Sequence, residues 1–147
     1  MIAFCPLLRR CWPYGMALLA AASAQATPMT AEDFDAYTRG KTLTYGVTGQ
    51  PYGAEQYRDG RRVVWSFLDG RCQDGLWYPQ EDQICFVYDT PSQSLPSGAA
   101  LEPQCWIFTQ EPDGLRAMFV GPGRDTTLYE IQESPTPLLC YGPDVGV

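Results

Sequence analysis

Beyond residue 40, apolar residues recur every second position in short runs, and each run ends in turn chemistry. This is the period of a half-buried strand, in which alternate side chains face opposite sides of a sheet. Asp-Gly punctuates the runs four times, at Asp59-Gly60, Asp69-Gly70, Asp74-Gly75 and Asp113-Gly114. Glycine takes positive φ without strain, so Asp-Gly favours tight hairpin turns. The runs predict strands near 41–46, 54–58, 61–67, 75–79, 84–88, 105–110, 115–120 and 126–131, with a last short one at 138–141. Turn signals about ten residues apart point to an antiparallel sandwich or small barrel. Before residue 40 the pattern changes period. Thr30 can cap a helix, Glu32 and Asp33 complement its N-terminus, Phe34 and Tyr37 share a face, and Gly40 ends it. A short helix over about 31–38 is expected, and it needs a docking surface to persist.

Two strands break the alternation. In 84–88, Ile84, Phe86 and Tyr88 face one way and Cys85 and Val87 the other; in 105–109, Trp106 and Phe108 oppose Cys105 and Ile107. An antiparallel sheet with one wet face alternates apolar and polar residues. Both strands are therefore expected to be covered on both sides. The helix, the 89–104 loop, a ligand or a partner could serve. That loop and 133–137 are expected to be irregular, the first holding three prolines and three serines.

Residues 1–26 read as a secretory signal. Arg9 and Arg10 give the positive start, Trp12–Ala22 is apolar, and Ala24-Gln25-Ala26 fits small-x-small cleavage before Thr27. The apolar run is shorter than the roughly twenty residues a membrane span requires. Residues 27–147 then form one domain. Removing the two leader arginines leaves eight basic against seventeen acidic residues, a charge of −9. Such acidity opposes nucleic acid or anionic membrane as a partner. A monomer in a bacterial periplasm, or secreted, is expected.

Cysteine usage agrees. Cys72, Cys85, Cys105 and Cys140 are the four that remain after the leader, and an even count in an exported domain implies two disulfides. Of three pairings, Cys85–Cys105 is favoured because both residues head strands of matching pattern, which leaves Cys72–Cys140. Metal binding is not expected, because the chain has neither Cys-x-x-Cys nor histidine.

Three segments together resemble a family of small secreted proteobacterial proteins known only as a domain of unknown function. They are Gly70-Arg71-Cys72-Gln73-Asp74-Gly75-Leu76-Trp77, Ile84-Cys85-Phe86-Val87-Tyr88 and Cys105-Trp106. Gly40-Lys41-Thr42 and Tyr57-Arg58-Asp59-Gly60 match the family's opening hairpin. The resemblance covers about 40–110. It implies a lipocalin-like or related small β-fold and no reaction.

Chemistry is sparse. Without histidine or a free thiol the usual nucleophile–base pairs are missing, and Ser66 has no lysine partner in view. A carboxylate-only enzyme remains conceivable through Glu55 or Glu81/Asp82, though most acids suit turns and solvated faces. The Asp69–Gly75 loop lacks a calcium pattern and carries Arg71. Arg61 and Arg62 suit an exposed strand end better than an anion clamp. The aromatics are the best binding candidates, with Trp77, Tyr88 and Trp106 singled out. The expected function is non-catalytic binding of a small apolar or aromatic-faced ligand, without a cofactor. An interaction module, such as an inhibitor of an exported hydrolase, is the alternative.

Overall fold

The structure, a computed structural model, describes residues 26–89, 102–123 and 125–141. Most of the leader and most of the 89–104 loop therefore lie outside the described residues. Of the two architectures left open by the sequence, the chain adopts the barrel. Eight antiparallel strands follow one another around it: β1 (Thr42–Val47), β2 (Gln50–Arg58), β3 (Arg62–Ser66), β4 (Gln73–Gln80), β5 (Gln83–Tyr88), β6 (Gln104–Glu111), β7 (Gly114–Val120) and β8 (Thr127–Ser134). β8 pairs with β1 and closes the ring. Closure pairs every strand on both sides and leaves only a short stretch of edge, on β6, beyond the β5–β6 ladder.

The helix α1 (Ala31–Thr38) stops one end of the barrel. Thr30 caps it by accepting from the Asp33 amide at 3.1 Å. Phe34 is wholly buried and packs on Tyr57, Trp77, Phe86 and Phe108, with its ring centroid 4.6 Å from that of Phe108. The short helix is thus held by the barrel interior, not by its own propensity. Arg61 caps the same end from outside, its guanidinium 4.8 Å from the centre of the Trp77 ring. Ahead of the helix, Met29 donates its amide to the Phe108 carbonyl, and Pro28 bridges Thr109. The N-terminal segment thereby sits beside β6 where the β5–β6 ladder, confined to Ile84–Phe86 and Gln104–Trp106, has ended.

Both disulfides form as the strand patterns suggested, Cys85–Cys105 and Cys72–Cys140. Cys85 and Cys105 lie directly opposite on β5 and β6, on the outside of the barrel. The outer faces of these strands are covered less than expected. The disulfide is buried there, while Val87 and Ile107 remain half-exposed. α1 does not cover that outer face. It covers the inner one, from the end.

Two expectations need correcting. Residues 138–141 form no strand; they belong to an irregular strap along the outside of β1–β3. Leu138 donates its amide to Gln56, Thr42 donates its hydroxyl to the Thr136 carbonyl, and Tyr141 donates its amide to Gly70. Outward-facing Ala54, Val64 and Ser66 are buried on this side of the barrel. Asp74-Gly75 is not a turn either, but lies inside β4. A Cβ on Gly75 would stand 2.5 Å from the Val87 carbonyl oxygen and 2.8 Å from the Tyr88 ring. Close packing, not turn geometry, calls for glycine there.

Candidate functional site

Alternation decides which side chains enter the lumen. On β2 the sequence Ala54-Glu55-Gln56-Tyr57 sends Glu55 and Tyr57 inward and Ala54 and Gln56 outward. Tyr45 comes from β1, Trp65 from β3, Phe86 and Tyr88 from β5, and Trp106 and Phe108 from β6. The half of the lumen next to α1 is filled by Phe34, Leu43, Val63, Trp77 and Leu115. The opposite half is not filled. It holds a pocket with about 70 Å³ of space for the centres of water-sized molecules. That suffices for a few waters or for part of a single-ring molecule whose remainder reaches the open mouth, since a cavity that encloses benzene measures about 150 Å³. Eight-stranded barrels are just wide enough to be filled by side chains or to hold one small ligand. This barrel is filled by side chains in one half and leaves a pocket in the other.

Tyr52 and Phe67 stand at the mouth, with ring centroids 5.8 Å apart and Trp65 between them and the interior. A register shift in the β1–β2 ladder leaves Tyr52 out of the pairing. A Cβ on Gly53 would lie 2.2 Å from the Trp65 ring, so the indole rests directly on this glycine. Gly53 under Trp65 and Gly75 beside Tyr88 both make room for pocket aromatics.

The polar groups of the pocket are few. The Tyr45 and Tyr57 hydroxyls bond one another at 2.9 Å. Tyr88 donates its hydroxyl to Glu55 Oε2 at 2.6 Å. Among the described residues, Glu55 Oε1 is buried and has no hydrogen-bond partner. Glu55 itself is only 3% exposed. Among the described residues, no Lys or Arg nitrogen approaches it within ion-pair distance. Burial pushes its carboxyl up to about 8, against the opposing effect of the Tyr88 hydrogen bond. Loss of hydration disfavours the charged form, and one hydrogen bond does not replace it. Burial likewise pushes the Tyr45, Tyr57 and Tyr88 phenols well above their ordinary value. A second inward carboxylate, Glu130, uses one oxygen, Oε2, for two hydrogen bonds. It accepts from the Tyr37 hydroxyl and the Leu115 amide, both at 2.9 Å.

The structure places the aromatic candidates differently from one another. Tyr88 and Trp106 line the pocket. Trp77 does not; it is 2% exposed and lies under Phe34 at the stoppered end. Asp69, in the loop weighed for calcium, receives hydrogen bonds from the Arg71 amide and guanidinium instead. Glu81 lies in the turn between β4 and β5. Ser66 is buried on the outer face and accepts from the Leu68 amide. The residue that sequence reasoning undervalued is Glu55. Its signal was present, because it shares strand parity with Tyr57.

Fold and site together define an eight-stranded up-and-down β-barrel with one stoppered end and an aromatic half-lumen containing a buried acid. No protein-family model, curated protein or solved structure matches this chain.

Proposed function

We propose that the barrel binds one small, aromatic-faced or apolar ligand in its open half, and that binding rather than turnover is its activity. The unfilled pocket with an unpartnered Glu55 oxygen carries this reading. Protein interiors are close-packed, and buried polar groups are bonded. A domain that leaves both rules unmet at one spot has a use for that spot. The family resemblance of 40–110 to small exported proteins with a lipocalin-like fold supports the same reading. So do the two disulfides, which fit an oxidising compartment, periplasmic or extracellular. Among the described residues no helix is long and apolar enough to cross a membrane. Export with cleavage near Ala26 belongs to this proposal, and the intact mass of the secreted protein should begin at or near Thr27.

The test is titration with toluene, read by tryptophan fluorescence, together with native mass spectrometry of protein taken from its own compartment. Binding should be saturable and should weaken about ten-fold or more in Trp106→Ala, with circular dichroism unchanged. If no small aromatic binds and no molecule is retained, the reading fails.

A second reading has one observation in its favour. Tyr52, Phe67 and Leu68 are 41, 55 and 50% exposed at the mouth. An exposed aromatic rim on an acidic domain would suit docking to a basic exported hydrolase as its inhibitor. Leu68→Ala, outside the pocket lining, would then weaken inhibition and leave toluene binding intact.

A further inference from the structure

We infer that the ligand is a small organic cation, a protonated amine on a flat apolar body, whose ammonium pairs with Glu55 inside the aromatic half-lumen. The inference rests on the ligand-binding reading and specifies its chemistry.

Several observations converge. Glu55 lines the pocket, and its Oε1 is buried without a hydrogen-bond partner among the described residues. A buried acceptor left open in this way is satisfied by a ligand that brings its own donors. No positive side chain competes for the acid among the described residues. The groups facing Glu55 from the surrounding elements are Tyr45 from β1, Tyr57 from β2, Tyr88 from β5, and the amides Gln73 from β4 and Gln104 from β6. None is cationic. Glu130 is not part of the pocket lining and is held by Tyr37 and Leu115. The remaining walls are Trp, Tyr and Phe rings, whose π electrons attract cations. A carboxylate ligand would find no cationic partner among the described lining residues and would be repelled once Glu55 ionises. A purely apolar ligand would leave the acid unanswered. The pocket's volume limits the body to about one ring.

The proton balance is simple. When an ammonium enters, Glu55 gives up its proton to water, and the carboxylate–ammonium pair forms without any bond to carbon being made or broken. Because the buried acid holds its proton up to about pH 8, amine affinity should climb about ten-fold per pH unit between about pH 6 and 8. Toluene affinity should stay flat. The tyrosines facing the site titrate far above this window.

The experiment compares benzylamine, benzyl alcohol, toluene and benzoate on the full mature domain by calorimetry. These probes share one ring and differ in head group. Benzylamine should bind at least ten-fold more tightly than benzyl alcohol at about pH 8, and benzoate most weakly. Glu55→Gln should remove the amine preference, so that benzylamine and benzyl alcohol bind within about two-fold of one another. The pH profile of the wild type supplies an independent reading should that variant fail to fold. If toluene binds and benzylamine gains nothing, the cation inference falls and the pocket reading stands. An amine preference that survives in folded Glu55→Gln overturns the role of this acid. If none of the four binds, both readings fall.

Discussion

Replacing Glu55 by glutamine should make the domain more stable at alkaline pH. The native carboxyl holds its proton up to about pH 8, against an ordinary value of 4.5. Between those values the folded state carries a proton that the unfolded chain releases. Stability is therefore full below the ordinary value and falls as pH rises, by about 1.4 kcal/mol per unit, until the native group ionises. From about pH 5 to pH 9 this one acid should cost the wild type about 4 kcal/mol, a large share of what a small domain has. Glutamine keeps the shape and can accept the Tyr88 hydroxyl through Oε1, and it does not titrate. Urea denaturation with the disulfides intact, followed by tryptophan fluorescence at about pH 5, 7 and 9, measures the effect directly. The gap between variant and wild type should widen in the variant's favour by about 4 kcal/mol across that range. The other perturbed groups stay out of the window. Asp69, held low by Arg71, acts at acid pH, and the buried tyrosines act only at strongly alkaline pH. Parallel stability profiles for the two proteins would refute the argument and show that Glu55 is solvated or already paired.

Three further outcomes are expected. Phe34→Ala should cost about 3–5 kcal/mol, because this wholly buried ring closes the barrel end against four aromatic neighbours; a loss below about 1 kcal/mol would mean that α1 is not the stopper. Replacing Cys72 and Cys140 together by serine should cost about 4 kcal/mol in the chain-entropy model for a separation of 68 residues, and limited proteolysis should then cut within 135–141 before the barrel; equal protease resistance would refute the strap. Gly53→Ala should lift Trp65 off the β2 backbone at a cost of about 1–3 kcal/mol, shift tryptophan emission and weaken toluene binding; unchanged emission would place the indole elsewhere.

Much of this molecule is legible in local pattern. Period-two alternation marked eight strands, and the Thr30 cap with the Gly40 stop bounded a helix that spans Ala31–Thr38. Matching Cys85 and Cys105 at the heads of two like strands pointed to their bridge, which the register confirms. These features depend on residues a few positions apart, or on one pairing, so a linear reading reaches them. Asp74-Gly75 shows where such reading fails. The dipeptide is turn-like by propensity, yet the approach of Val87 and Tyr88 from the neighbouring strand put it in mid-strand. Residues 138–141 fail for a related reason. Beside them both edges of β1 were taken, by β2 and β8, so these residues became a strap along the outside instead. Parity on β2 determined that Glu55 faces the same way as Tyr57, but it could not say that this face is a lumen. Only closure of the barrel, and α1 filling one half of it, set Trp77 in the core while Tyr88 and Trp106 were left around a buried acid. A strand fixes the side to which a carboxylate points; the loss of water around it is decided by eight strands meeting.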